Sequence, residues 1–448
     1  MKKALLAALL VSGTILSSVP SKAENLMGAL SKAYNNNSRL NSDRASVRVS
    51  DENVAIARSG IRPSIAAFAS YTRGNNAGNP YYSTVGSVGI QLDQVIFDGF
   101  STKNNISAAE LQSAAQREFL RNSEQNQLYA AIEAYADVYM ARRIAILRQQ
   151  NVAALDEQVR ADRAKLEVGE GTRTDLAQSE AQRALAISQL HLAKADVKSK
   201  EAIYRQVIGV EAEKLDAPVS ATGLPRNAKS GFEIARVEHP AILSARYAVD
   251  AASYRVKANE GALLPQVNFR VASSYNEVYD GPGTSGRANS IGLALTVPFY
   301  QGGRTSAQIR QSKEQLGQAV IQVDVYVDQV RQELSAALSQ LDGARASVAA
   351  YRDSVAANKI ALNGRIEENR VGQATTLDVL NSRGMLIDSQ VSLVSAERDA
   401  VVASYGLVVA IGRMSAQQLN LQVVHYDPKI HFDAVRFKWF GLKTPFSH

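Results

Sequence analysis

Two aspartates hold equivalent places in a motif that occurs twice, displaced by 371 − 168 = 203 residues. Glycine commonly ends a helix, and threonine or aspartate commonly begins one. A carboxylate in a first helical turn faces the positive end of the helix dipole, which favours its ionised form. It can cap the helix or hold a charge that attracts cations, and the motif alone leaves both roles open. The two copies are Val168, Gly169, Thr172, Asp175 and Ser179, and Val371, Gly372, Thr375, Asp378 and Ser382.

Residues for catalysis or metal binding form no recognisable pattern. The five histidines lack metal-ligand spacing, and the absence of cysteine excludes thiolate sites and disulfides. The chain has no phosphate-binding loop, nucleophile elbow or dinucleotide fingerprint. Its 50 basic and 43 acidic residues are interspersed, so nucleic acid is not an expected partner. We predict no enzymatic activity and no cofactor.

Long helices precede both copies of the motif. Residues 100–168 contain neither glycine nor proline, and no proline occurs between Pro298 and Pro428. Uninterrupted, the first of these helices would extend on the order of 100 Å at about 1.5 Å per residue. From Val323 to Val355 apolar residues recur by steps of 4 and 3, which indicates coiled-coil packing. We therefore predict two antiparallel helical hairpins whose tips carry the motif.

Alternating segments precede each long helix. Apolar and polar residues alternate from Val267 to Tyr275, and apolar and small residues alternate from Ile291 to Val297. The first half has the same plan from Pro63 onward, with loops expected at 74–80 and 280–286. Such strands of about ten residues span an outer membrane when tilted. A soluble antiparallel sheet with one buried face is the alternative that the pattern leaves open.

The chain begins like an exported protein. Lys2 and Lys3 precede an apolar run over 4–16, and we expect cleavage after Ala23. No later stretch of about 18 apolar residues occurs. Four strands cannot close a barrel, and open strand edges cannot face lipid. Several identical chains are therefore expected to share one wall with cyclic symmetry.

Ordered motifs connect these segments to a known family. They lie at 57–63 and 258–265 before the strands, at 96–99 and 298–303 before the long helices, and at 371–380 on the second tip. Together they resemble the TolC-like outer-membrane efflux family over nearly the whole chain to about Gly412. The resemblance implies an internally duplicated α+β membrane protein. Four strands per chain would join a trimeric twelve-stranded transmembrane β-barrel, and coiled-coil helices would form a periplasmic α-helical barrel.

The resemblance also implies the function and the partners. The homotrimer would be a passive exit duct of a tripartite efflux or type I secretion system, held in outer-membrane lipid of a Gram-negative bacterium and extending into the periplasm. An inner-membrane pump of the RND or ABC type would energise it through a periplasmic adaptor protein. A duct dedicated to one secreted protein and a non-channel exported coiled-coil scaffold or adhesin are the alternatives.

Site residues follow from the resemblance position by position. Thr174, Asp175 and Asp378 match periplasmic gate residues, and Asn381 stands where the family has a further ring carboxylate. Asn369 and Ala374 replace the Tyr and Arg that lock the gate in the best-known member, so Arg173, Arg365 or Arg370 would have to rebuild the lock. The expected adaptor-docking residues are Val168, Gly169, Glu170, Val371, Gly372 and Gln373.

The expected domain organisation follows the repeat. Residues 1–23 are the signal peptide, 24–225 the first repeat, 226–415 the second repeat and 416–448 a tail outside the repeat. Each repeat would hold a helix, a β-hairpin (about 63–97 and 265–300) and a long helical hairpin (about 100–209 and 303–412).

Overall fold

The computed structural model describes residues 23–75 and 82–445. The predicted signal peptide lies outside the described residues except for Ala23, and so does most of the predicted loop at 74–80. No helix within the described ranges is both long enough and apolar enough to cross a membrane. The first repeat contains α1 (Leu26–Asn36), α2 (Ser38–Ser59), β1 (Ser64–Gly74), β2 (Ser83–Phe97), α3 (Ser101–Glu167) and α4 (Arg173–Ile208). The second contains α5 (Ala228–Glu238), α6 (Pro240–Glu260), β3 (Gln266–Asp280), β4 (Gly286–Thr296), α7 (Arg304–Arg370) and α8 (Thr376–Ala410), and α9 (Pro428–Val435) follows.

The two long helices are equal in length. Both α3 and α7 have 67 residues, which is on the order of 100 Å at about 1.5 Å per residue. Each begins after a residue in the left-handed backbone region, Phe100 and Gly303. Each then turns back into a return helix, α4 with 36 residues and α8 with 35. The predicted pair of antiparallel helical hairpins is confirmed.

The four strands form one antiparallel sheet in the order β1-β2-β3-β4. The central pair, β2 with β3, joins the two repeats, and Asp93 lies opposite Arg270 with a carboxylate–guanidinium distance of 2.6 Å. These central strands have 15 residues each rather than about ten, because their pairing continues beyond the last pairs made by the edge strands. Strands β1 and β4 are the two edges, and each has one side without a partner strand within residues 23–75 and 82–445.

The register gives the sheet two different faces. Ile65, Leu92, Val271 and Ile291 lie side by side across all four strands, so one face is apolar. On the other face Ser64, Asp93 and Arg270 are neighbours. The other described residues do not cover the apolar face, since its largest side chains in β4 are more than half exposed. These exposed residues are Ile291, Leu293 and Leu295.

The main core lies between the sheet and the helical tips. Tyr135 on α3 and Tyr204 on α4 are fully buried there, and the Tyr135 hydroxyl donates to the carbonyl oxygens of Glu24 and Asp216 at 2.6 and 2.9 Å. A second cluster joins α7 to α8 through Leu334 and Leu407. The main core around Tyr135 holds α1 and the segment after α8 against α3, so the hairpins project from a fixed base.

The segment after residue 415 is folded onto the first repeat. The amide of Ala416 donates to the Glu124 carboxylate at 2.7 Å, and α9 lies against α2. His431 on α9 contacts the buried Asp51 carboxylate of α2 at 3.1 Å. These contacts hold the tail against α2 and α3 of the first repeat.

Candidate functional site at the helix tips

The two predicted tips have the same backbone turn. In the first, the amide of Gly169 donates to Leu166 at 3.2 Å and that of Glu170 to Lys165 at 2.8 Å. In the second, the corresponding distances are 3.1 and 2.8 Å. Both turns satisfy the last helical carbonyls with the paired hydrogen bonds of a Schellman motif. The glycine of each has a positive φ, 82° and 78°, which a side chain would strain.

Each tip presents an apolar side chain to solvent. Val168 and Val371 lie at the very ends of the hairpins and are 72% and 70% exposed. Glu170 and Gln373 beside them are exposed as well. The structure therefore brings each group of three predicted docking residues together at one tip.

The repeated threonine and aspartate meet at the start of each return helix, where the threonine is the N-cap residue. Asp378 and Thr375 form a capping box, in which the Thr375 amide donates to the carboxylate at 2.9 Å and the Asp378 amide donates to the threonine hydroxyl at 3.1 Å. Hydrogen bonds from the Thr375 hydroxyl and then from its amide hold the pKa of Asp378 below its usual value. The Thr172 hydroxyl donates to the Asp175 carboxylate at 2.5 Å in the first tip. The contacts within the chain thus give Asp378 a capping role, whereas Asp175 accepts from the hydroxyl of Thr172, which is itself the cap of α4.

The remaining gate candidates are exposed or contact residues of their own tip. Arg173 and Thr174 are exposed in the first turn of α4, and Asn381 is exposed on α8. The side-chain amide of Asn369 donates to the Ala374 carbonyl at 2.9 Å, so these two positions do meet, but as a brace within one tip.

Two arginines considered for the gate lock are engaged on their own helix. Arg365 pairs with Glu368 at 2.7 Å, and Arg370 pairs with Glu367 at 3.0 Å. Such exposed pairs, three residues apart, stabilise a helix only weakly.

Other residues tie the two hairpins together. Near the tips, the buried Leu380 of α8 packs against Leu155 of α3 and Ala186 of α4. Further from the tips, Asp137 of α3 accepts from Lys200 of α4 at 2.9 Å and from Arg398 of α8 at 2.7 Å. These contacts join three helices at two levels, and the sequence did not reveal them because each joins residues far apart in the chain.

The tips also differ in one buried contact. Asp162 of α3 is buried and accepts hydrogen bonds from Ser179 of α4 and, at 2.9 Å, from Gln158. The second repeat keeps the serine as Ser382 but has the exposed Arg365 where the first has Asp162. Only the first hairpin therefore has a buried carboxylate bracing its tip. The sequence does show that the repeat is broken at this position. The contact with Ser179, however, can be recognised only once α3 and α4 are paired.

A group of three or more acidic, histidine or cysteine side chains suited to a metal ion does not occur in the part of the chain that the structure describes.

Comparison with known sequences finds one family twice in the chain. The profile described as "Outer membrane efflux protein" matches residues 29–210 and 232–413, and 232 − 29 and 413 − 210 are both 203. The chain is 55% identical to the outer membrane efflux protein BepC of Brucella suis, over 99% of this chain and 97% of BepC. It is 24% identical to the outer membrane protein TolC of Escherichia coli, over 89% and 84% of the two chains. It is also 24% identical to the alkaline protease secretion protein AprF of Pseudomonas aeruginosa, over 75% of this chain and 72% of AprF.

Solved structures share the fold. The CmeC outer membrane channel of Campylobacter jejuni superimposes with a TM-score of 0.80 at 16% identity, over 92% of this chain and 89% of CmeC. The likeness therefore extends over the strands and both helical hairpins.

Replacing Thr375 by alanine removes the hydroxyl that caps α8. We expect the amides of residues 376–379 to exchange with deuterium about fivefold faster at neutral pH, the factor for a lost threonine cap. Because the hydrogen bonds from Thr375 lower the pKa of Asp378, their stabilisation is present above the usual value of 3.8 and is lost as the pH falls below it. The difference between variant and wild type should shrink accordingly in acid.

Mass spectrometry of the full-length protein in detergent measures this exchange. The exposed Gln373→Ala, in the same tip, is the matched control and should leave the rate unchanged. Equal exchange in Thr375→Ala and wild type would show that the capping box does not hold the first turn.

Proposed function

The chain belongs to the outer membrane efflux protein family, as its motifs predicted, and from this premise we propose that it is a passive exit duct gated at its helix tips. It lies in the outer membrane of a Gram-negative bacterium and extends into the periplasm. Its fold class is that of the family's channels, an internally duplicated α+β membrane protein with four strands per chain. The energy source, the partners and the gate belong to the proposal.

The observation that carries the proposal is the open four-stranded sheet. In the described part of a single chain, its apolar face is exposed and both edge strands have an unpaired side. Lipid cannot satisfy the backbone groups of an open edge, so β1 of one copy must pair with β4 of the next. Three copies give a closed wall of twelve strands, which is wider than an eight-stranded barrel filled by its own side chains. The polar face, with Asp93 and Arg270, would then line a water-filled lumen.

The helical hairpins continue this lumen through the periplasm. Their length, on the order of 100 Å, brings the tips far from the sheet. We propose that a periplasmic adaptor docks on the tips, with Val168 and Val371 as apolar contacts. An inner-membrane pump would then deliver cargo through the adaptor, and the duct itself would consume no energy.

The proposed gate uses the first turns of α4 and α8. Thr174, Asp175 and Asp378 lie there; an aspartate is ionised at neutral pH, and the lowered pKa of Asp378 extends this ionisation further into acid. In a trimer, each such position occurs three times around the axis. Asn381, about one helical turn further along α8, leaves the next ring without charge. Arg173 is the lock candidate that the structure leaves exposed and without a salt bridge among the described residues.

Export of one dedicated protein is the second candidate function. Its support is the similarity to a protein named for alkaline protease secretion, whereas the similarity to BepC favours efflux. Deletion of the gene, followed by measurement of both sensitivity to amphiphilic drugs and the set of secreted proteins, separates the two. Drug sensitivity with unchanged secretion supports efflux, and the loss of one secreted protein alone supports the dedicated duct.

Replacing an exposed tip valine by a charged residue should affect adaptor docking without affecting pore formation. We expect Val371→Asp, like wild type, to form pores in planar bilayers, because the tip turn and the sheet are untouched. In a deletion strain, however, the variant should fail to restore export, since a desolvated carboxylate weakens an apolar contact.

The control for this experiment is Val219→Asp, which changes a valine of nearly equal exposure outside the tips. It should restore export fully. Absence of pores in the wild type would overturn the duct, whereas full restoration by Val371→Asp would overturn only the docking role of this valine.

A second carboxylate ring can be tested at Asn381. We expect Asn381→Asp to bind a blocking trivalent cation such as hexamminecobalt about tenfold more tightly, since three added charges would act together on the ion. Single-channel conductance at increasing hexamminecobalt concentration gives the affinity of the blocking ion. Asn381→Gln changes the side chain without adding charge and should match wild type. Unchanged block in the aspartate variant would place position 381 away from the conducting path.

A further inference from the structure

The segment after α8 follows α2 toward the membrane. His431 contacts Asp51, and further along both segments the guanidinium of Arg58 lies 4.5 Å from the centre of the Phe437 ring. The increasing residue numbers on both sides show that the tail runs parallel to α2. Since α2 leads directly into β1, the tail approaches the periplasmic end of the membrane-spanning sheet.

The last of these contacts lies at the start of the sheet. Arg62 donates to the carbonyl of Lys438 at 2.7 Å, and its guanidinium lies 4.8 Å from the centre of the Trp439 ring. Arg62 is separated from the first residue of β1 only by Pro63. Trp439 is thereby held at the level where the chain enters the sheet.

Beyond this point the tail exposes apolar side chains. Trp439 is 66% exposed, Phe440 is 90% exposed, and Leu442 is fully exposed. Lys438 and Lys443 flank them and add positive charge. A cluster of large apolar side chains with this exposure indicates a surface that another apolar phase covers.

Further exposed aromatic residues lie at the same end of the sheet. Phe100 follows β2, and Phe299 and Tyr300 follow β4; all three expose more than half of their surface. Aromatic side chains concentrate at the boundary between hydrocarbon and water, where an apolar ring and polar neighbours are both accommodated. Their level marks the membrane surface that faces the periplasm.

We propose that residues 437–443, the anchor segment, insert into the periplasmic surface of the outer membrane and bind its anionic phospholipids. Trp439, Phe440 and Leu442 would enter the boundary between headgroups and acyl chains, and the two lysines would face lipid phosphates. The occupant is lipid because the segment is continuous with the membrane-spanning sheet through the contacts of Arg62. The anchor segment would thus fix the level of the base of the helices relative to the bilayer.

Trp439 reports on its own surroundings because it is the only tryptophan in the chain. The full-length protein is reconstituted in vesicles of phosphatidylethanolamine and phosphatidylglycerol, with or without lipids brominated in the acyl chains. We expect Trp439 fluorescence to lose most of its intensity in the brominated vesicles. Acrylamide in the water should quench it less in vesicles than in detergent-free unfolded protein.

The double variant Trp439→Phe/Tyr351→Trp moves the reporter to α7, far from the sheet, and should be insensitive to brominated lipid. Wild-type fluorescence that ignores brominated lipid would overturn the proposal. If it is then readily quenched by acrylamide, the segment lies in water. If it is protected from acrylamide, a neighbouring copy of the chain covers it instead.

Discussion

Unpaired backbone groups at the edge of a membrane-embedded sheet are the constraint on which the rest of this structure depends. Among the residues that the structure describes, strands β1 and β4 each lack a partner on one side, and no further element closes the sheet. In hydrocarbon each unsatisfied amide or carbonyl costs several kcal/mol. Copies of the chain must therefore complete the wall, and the alternation of apolar and polar residues decides which face meets lipid. The lumen is a consequence of this closure.

Duplication follows from the same geometry. Two repeats displaced by 203 residues each provide a strand pair and a helical hairpin, so that the wall and the periplasmic cylinder are built from similar units. Equal lengths of α3 and α7 keep both tips at one level. The backbone turns are the same, yet Asp162 braces only the first tip from within. Equal backbones with unequal side chains allow the two hairpins to differ in stability while they remain aligned.

Local features of the fold could be predicted from the sequence. The helix ends depend on residues close in sequence, namely Gly169, Gly372 and the threonine caps. The alternation from Val267 to Tyr275 likewise predicts a strand with one apolar and one polar face. Contacts between distant segments could not be predicted in this way. The packing of Leu380 on Leu155 depends on how two hairpins are aligned, and the contact of His431 with Asp51 depends on the path of the tail. The roles carried over from the family for Asp175 and Asp378 remain predictions, whereas their contacts with Thr172 and Thr375 are seen directly.

Cross-linking across the sheet edges tests the central claim most directly, because the chain has no native cysteine. Ala67 in β1 is replaced by cysteine together with one apolar-face position of β4 at a time: Ile291, Leu293 or Leu295. If β1 of one copy pairs with β4 of the next, at least one pair will lie within disulfide distance, and oxidation in the membrane will yield a covalent product of three chains. Single-cysteine variants should not form it. Chains that stay uncrosslinked in all three double variants, or a ladder that continues past three, would contradict the closed trimeric wall.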